Sequence, residues 1–424
     1  MKWNVLPSRL RGTIAIPPSK SHSIRALLIA ALADGTSVIR KPLLTGDGKS
    51  ALNAAISLGA QVFYDGDNCS VKGIGNDFSR IQPAFDMGNS GTGTNLFTAA
   101  VALSGKKCTF DGDNSLRSRP FRQVLEALGP LGLNYSFHRE GGDLPYTICG
   151  PIHGGSTTVN GVSSQFLSAL LLCSPLIKDN STIISVVNLH EHPYVELTLW
   201  WLKKQNIRID YESNLSKFTV PGFQQYKAFD LQIPSDFSSA TFAAVGAAIA
   251  GNKVTITGLD FSDPQGDKGV FDVIRNAGAN QNITSEHVVS SSGSLSGNVI
   301  DLNTMPDALP ALAVLACCSK GETRIVNVAQ ARIKETDRIA VMYQELKKMG
   351  ADIQELPDGL VIKQSKLKGT EVCGHDDHRV VMALALAGMI AEGETVITTA
   401  EAADVTYPSF VKDFNAIGAN ITII

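Results

Sequence analysis

The chain has 424 residues, 44% of them hydrophobic and 18% charged, with a formal net charge of −3. That length predicts two or more domains with large cores, and that charge leaves no global basic field for a nucleic acid, so an anionic ligand has to be held by local Arg and Lys. The seven cysteines form no CxxC or Cys/His metal spacing, the apolar runs 242–250 and 380–390 are too short to span a bilayer, and the start Met1-Lys2-Trp3-Asn4 has no apolar leader, so the expectation is a cytoplasmic protein with reduced thiols that binds neither membrane nor nucleic acid.

Ile14-Ala15-Ile16 reads as a short strand, stopped by Pro17-Pro18, since proline cannot pair inside a sheet. Ser19 or Ser21 is the N-cap of a strong apolar helix that follows Arg25. Lys20, Ser21, Ser23 and Arg25 thus gather at a helix start, where free N–H groups and the helix dipole favour an oxyanion such as phosphate. Along the rest of the chain a pattern recurs: helix, small-residue turn, strand. Its turns centre on Gly59, Gly132, Asn206, Gly278, Gly350 and Gly418, about 70 residues apart. Each turn residue is read as the left-handed residue after a helix. Six such units, each with room for about four strands and two helices, are expected.

Apolar helices recur in the later units, at 94–103, 165–172, 239–250, 308–317 and 380–391. They are apolar nearly all round and so should be buried centrally, each with a polar group before it. If the units pack around two pseudo-threefold axes, these polar N-termini would converge on one cleft. The stretch Ile233-Pro234-Ser235-Asp236 is the natural return crossover. The expected domains are therefore 15–233, inserted, and 1–14 with 234–424.

Several polar groups carry chemistry. Gly88-Asn89-Ser90-Gly91-Thr92 is either a ligand-hugging turn or a plain loop. Arg119 precedes Pro120 and is held extended. Ser163-Ser164-Gln165 puts two hydroxyls and an amide at a helix start, as a phosphate site or a double cap. His190-Glu191-His192 lacks further ligands at metal spacing, so no metal is expected. Asp307 is a cap or a buried base. The run 332–338 reads as a solvated face or as a binding group. His378-Arg379 before a wholly apolar helix is hard to explain as structure alone.

Taken in order, Lys20-Ser21, Asn89–Thr92, Arg119-Pro120, Ser163–Gln165, Pro306-Asp307, Lys334-Glu335-Thr336-Asp337-Arg338 and Asp377-His378-Arg379 resemble the EPSP synthases, the 3-phosphoshikimate 1-carboxyvinyltransferases, over nearly the whole chain. The resemblance implies an α/β fold, a two-domain inverse α/β barrel of six βαβαββ units around buried helices. It implies a monomer with no cofactor and no metal. It also implies transfer of the carboxyvinyl group of phosphoenolpyruvate to the 5-hydroxyl of shikimate 3-phosphate, on the route to chorismate and the aromatic amino acids. Carried over by motif, shikimate 3-phosphate falls to Lys20, Ser21, Arg25, Ser163, Ser164, Gln165, Tyr194, Asp307, Gln330 and Lys334. Phosphoenolpyruvate falls to Lys20, Gly91, Arg119, Gln165, Arg338 and Arg379, and proton transfer to Asp307, Glu335, Lys20 and His378. Arg119 and Arg379 read alike as ligand cations whose removal should stop turnover and leave stability unchanged.

Four positions depart from the family pattern. Asn95 and Val405 stand where the family has Arg and Lys, Glu191 where it has a substrate-binding Ser, and Gln330 where it has Asn. Two alternatives stay open: a paralogous carboxyvinyltransferase acting on another cyclic alcohol, and a non-catalytic binding protein of this fold. The sister UDP-N-acetylglucosamine carboxyvinyltransferases lack the Ser-Lys-Ser start and use a loop cysteine; residues 113–119 have none.

Overall fold

The computed structural model describes residues 1–140 and 143–424. The chain divides into two compact units, Met1–Pro17 with Pro234–Ile424, and Pro18–Ile233. Among the described residues each holds three four-stranded sheets built on one plan. In one of them Val299–Asp301 pairs parallel with Glu322–Val326, which pairs antiparallel with Gly359–Lys363, and that strand antiparallel with Asp352–Leu356. The parallel pair needs a helical crossover, and the buried helix Leu309–Cys318 supplies it. The antiparallel pair is a tight hairpin.

The two chain crossovers exchange strands. Leu10–Ala15 pairs with Gly251–Thr257 in the first unit, yet its chain runs on into the helix Lys20–Leu32 of the other unit. There the equivalent strand is Asp230–Gln232, parallel to Thr36–Arg40, and it leads back to the helix Phe237–Ala250. The Asp236 N–H donates to the Pro17 carbonyl at 2.9 Å, so the two crossover points of the chain are hydrogen-bonded to each other.

Six helices form the cores: Lys20–Leu32, Gly91–Ala102 and Ser164–Cys173 in one unit, Phe237–Ala250, Leu309–Cys318 and His378–Ile390 in the other. Their Ala, Leu and Val residues are almost all fully buried, as expected of helices apolar all round. Five are capped by a side chain: Ser19, Ser90, Ser163, Asp236 and Asp377 each accept from an N–H of the first turn. Four of the helices begin one to three residues before the apolar run suggested. The cap sets the start, so Gly91-Thr92-Gly93 and His378-Arg379 lie inside the first turn. The Leu309 helix has no side-chain cap and is led in by a 3₁₀ turn, Pro306–Ala308. The six turn residues lie in the left-handed region, with φ of 55° at Asn206 and 90–114° at the five glycines.

One buried carboxylate ties a surface helix to the strand Glu371–Cys373 of another sheet. Glu345, on the helix Arg338–Lys348, accepts from Lys348 Nζ (2.8 Å), His375 Nε2 (2.8 Å) and the Cys373 N–H (3.0 Å). Burial pushes its carboxyl up, but hydrogen bonds from His375 and Lys348 outweigh it and hold the group down at about 2. A depressed carboxyl contributes stability that is present above its unfolded value near 4.5 and is lost as pH falls towards 2. Glu345→Gln should therefore lower the unfolding free energy at pH 7 by about 3 kcal/mol. Urea titrations at several pH values should show the gap between the two proteins closing below pH 4.5.

Candidate active site

Each unit carries one cluster of polar groups at the N-termini of its core helices. In the Pro18–Ile233 unit, Ser19 caps the first helix, so Lys20 and Ser21 lie in its first turn. Lys20 Nζ is 3.1 Å from Asp47 Oδ2, and both residues are buried. Asp47, in the first turn of the helix Gly46–Leu58, carries no motif that sequence reading could use; only its position after a turn hints at it. Arg25 runs inward. Its guanidinium donates to Thr198 Oγ1 (2.9 Å), Ser168 Oγ (3.4 Å) and the carbonyls of Ser21 (3.1 Å) and Tyr194 (3.3 Å). Burial lowers its pKa to about 10.

The second and third core helices of this unit meet at their polar ends. Asn95 Nδ2 donates to Gln165 Oε1 (2.9 Å) and to the Gly91 carbonyl (3.0 Å). A Cβ on Gly91 would come within 3.2 Å of Arg119 Nη1, closer than an ordinary contact, so the missing side chain leaves room for that guanidinium. Arg119 is half-buried. It donates to the Asn89 carbonyl (3.1 Å), to Asn89 Oδ1 and to Ser115 Oγ (3.1 Å). Ser163 caps its helix and Ser164 opens it. The Ser164 hydroxyl (2.8 Å) and N–H (3.3 Å) both donate to Glu191 Oε2.

In the other unit the cluster is ionic. Arg338 is fully buried and spreads over three carboxylates. Nε meets Asp377 Oδ2 (2.8 Å), Nη1 meets Asp307 Oδ1 (2.7 Å) and Nη2 meets Glu335 Oε2 (2.6 Å). Burial works against its charge, and the three carboxylates more than offset it, raising its pKa. Arg379 Nη2 reaches the second oxygen of Asp307 at 2.9 Å. Asp307 is thus gripped by two guanidinium groups and is not the side-chain cap of the Leu309 helix. His378 is buried, with Nδ1 3.9 Å from Asp377 Oδ1. Asp267, which no motif flagged, is buried against Ser238 Oγ. Burial and the charge of Asp307 push its carboxyl up to about 6, against the pull of Arg379. Asp267 therefore holds its proton more tightly than an ordinary carboxyl, within the field of this cluster.

The run 332–338 is not one solvated face. Asp337 caps the helix it precedes, Arg332 pairs with Asp337 (2.7 Å) and Glu355 (2.8 Å), and Arg338 turns inward. Those pairs brace the segment that carries half-buried Lys334 and Glu335. Gln330 is buried and donates to the Asn303 carbonyl at 3.1 Å. Val405 ends the 3₁₀ segment Ala400–Val405 and is half-buried. The structure also separates two cations that read alike in sequence. Arg119 donates to neutral groups, whereas Arg379 is 2% exposed and ion-paired, so its removal takes one of two guanidinium partners from the half-buried Asp307.

A family model described as EPSP synthase (3-phosphoshikimate 1-carboxyvinyltransferase) matches residues 6–414. The chain belongs to the EPSP synthase family. It is 48% identical over 424 residues to the 3-phosphoshikimate 1-carboxyvinyltransferase of Ruminiclostridium cellulolyticum, covering all of both chains. It is 39% identical to that of Methanococcoides burtonii, over 100% of this chain and 99% of the relative. Among solved structures, the EPSP synthase of Acinetobacter baumannii superposes with a TM-score of 0.81 at 26% identity, over the full length of both chains. The two-unit α/β architecture is that of EPSP synthases. Among the described residues no helix is long and apolar enough to cross a membrane.

Proposed function

We propose that this chain transfers the carboxyvinyl group of phosphoenolpyruvate to the 5-hydroxyl of shikimate 3-phosphate and releases inorganic phosphate. The observation that supports this most strongly is the full-length match to the EPSP synthases. Beside it stand the cations and carboxylates gathered at core-helix N-termini, where bound anions are stabilised.

In this reading Arg338 and Arg379, with Arg119, Lys20, Gly91 and Gln165, hold phosphoenolpyruvate. Guanidinium forks suit both its carboxylate and its phosphate. Lys20, Ser21, Arg25, Ser163, Ser164, Gln165, Tyr194, Asp307, Gln330 and Lys334 hold the acceptor. The acceptor hydroxyl adds to C2 of phosphoenolpyruvate, its proton passing to a base, while the methylene C3 takes a proton from an acid. The tetrahedral adduct then loses phosphate from C2 and a proton from C3, which restores the vinyl group. Asp307 and Glu335 exchange these protons, with Lys20 and His378 beside them. The Asp307 carboxylate is fixed by Arg338 and Arg379, so its lone pairs are aimed before the acceptor arrives.

The test is phosphate release. With both substrates present, phosphate should appear in step with the carboxyvinyl ether of shikimate 3-phosphate, and neither substrate alone should yield it. Release no faster than in a protein-free mixture would overturn the reading.

A further inference from the structure

We propose that Asn95 is a positioning residue for ligand binding: it holds the Gln165 amide in the one orientation that leaves Nε2 to donate to a bound anion. The inference rests on the ligand contacts proposed above, in which Gln165 touches both substrates. It is carried by the donors and acceptors at the meeting point of two core helices.

Asn95 lies one turn into the helix Gly91–Ala102 and is 2% exposed. Its Nδ2 donates to the Gly91 carbonyl at 3.0 Å and to Gln165 Oε1 at 2.9 Å. The first bond fixes the second. A carbonyl oxygen only accepts, so the Asn95 atom facing Gly91 has to be the NH2 and not Oδ1. The same NH2 faces Gln165, so the Gln165 atom beside it has to be the oxygen. Turning the Gln165 amide over would set two NH2 groups against each other, with an acceptor for neither. Gln165 Nε2, with its two N–H groups, is therefore the end left over. Among the described residues no protein group accepts from it.

The surroundings of that amide suit an anion. Gln165 is half-buried at the second position of the helix Ser164–Cys173, where unpaired backbone N–H groups and the helix dipole favour negative charge. Arg119 Nη1 and Gln165 Oε1 lie 3.2 Å and 3.9 Å from the place that a Gly91 Cβ would occupy, so a cation and this amide flank the same glycine. Stability does not account for Asn95. Its Oδ1 is buried with no hydrogen-bond partner among the described residues, which costs free energy that an apolar residue would avoid. The family pattern has Arg at this position. Arginine donates from every nitrogen and accepts nowhere, so it too would leave the Gln165 oxygen as the acceptor. Asparagine keeps that orientation without burying a charge.

The experiment is a double-mutant cycle read by calorimetry. Dissociation constants for shikimate 3-phosphate are measured on the intact chain, on Asn95→Leu, on Gln165→Ala and on the double variant. Leucine keeps the volume of the side chain and removes its donor. A residue that acts only through Gln165 has nothing left to do once Gln165 is gone, whereas a packing role adds its own loss. Binding should weaken about tenfold in Gln165→Ala and about fivefold in Asn95→Leu, the usual range for a lost hydrogen bond to an anion or its loosened donor. The double variant should bind within about twofold of Gln165→Ala. Asn95→Asp keeps the shape but offers oxygen where the donor was, and should bind at least as weakly as Asn95→Leu. Losses that multiply, an Asn95 variant that binds like the parent, or a Gln165→Ala that does so, each overturn the proposal. So does a lower urea midpoint for Asn95→Leu with unchanged affinity, which would assign Asn95 to the fold alone. Phosphate release reports on the reaction separately. A parent that binds shikimate 3-phosphate without turning over ends carboxyvinyl transfer as a reading, and the cycle still decides the role of Asn95. A parent that does not bind it overturns both.

Discussion

Replacing Arg338 by methionine should cost about 3–5 kcal/mol of unfolding free energy, the usual consequence of removing one partner from a buried ion pair, and should abolish phosphate release. The physical reason is the imbalance left behind. Arg338 is 1% exposed in its side chain and Asp377 is fully buried, with 2.8 Å between them. Without the guanidinium, Asp377, Asp307 and Glu335 would share a water-poor region and each would lose its contact with Arg338. Asp377 also accepts from the N–H groups of Arg379 (2.8 Å) and Val380 (3.4 Å), so its displacement would loosen the cap of a core helix. Arg338→Lys keeps the charge but offers no planar fork to three carboxylates, and should recover only part of the loss. Urea unfolding of the three proteins measures this. A methionine variant within 1 kcal/mol of the parent would mean that the cluster contributes nothing to the fold.

Arg25→Met should do the opposite. Arg25 is as deeply buried as Arg338, but it donates to two hydroxyls and two carbonyls, and no carboxylate pairs with it among the described residues. Burial, only partly offset by Tyr194, brings its pKa from 12.5 down to about 10. A base with a depressed folded pKa is held charged at a cost at neutral pH, here about 3 kcal/mol. Stability should be regained as pH rises through about 10. The methionine variant should accordingly be as stable as the parent at pH 7 or more stable, with the advantage shrinking above pH 10. Binding of shikimate 3-phosphate should fall at least a hundredfold, because an isolated buried guanidinium is a strong subsite for a ligand carboxylate. Such a trade of stability for affinity is common at binding sites. Denaturant titration and ligand calorimetry on the same samples test both halves. A clear loss of stability with unchanged affinity would make Arg25 a structural residue.

The contrast between these two arginines defines what a linear reading could reach. Both stand in motifs at helix starts, and both read as anion-binding cations. Nothing within four residues of Arg25 tells that Thr198 and Ser168 will meet it, because those partners arrive from helices 173 and 143 positions away in the chain. The same holds for Asp47 beside Lys20 and for Asp267 in the field of Asp307. Neither sits in a local pattern, and each matters only through a neighbour brought up by the topology.

The sequence by itself determined the architecture's rhythm and the ends of its core helices. A left-handed turn residue, a Ser or Asp cap and an all-apolar helix are decided by backbone sterics, by hydrogen bonds over three residues and by burial of every face. These are local properties, so Gly350, Ser19 and the run 380–390 could be read directly from it, although in four helices the cap sets a start one to three residues before the apolar run. It also carried the family motifs from Lys20 to Arg379. The tertiary structure alone decided which charges are compensated. Arg338 found three carboxylates, Arg25 found none, and Glu191 was turned onto the donors of Ser164. Charge compensation depends on distances of a few ångströms between groups far apart in sequence, and on the water removed around them. Both quantities come into being only when the helices pack.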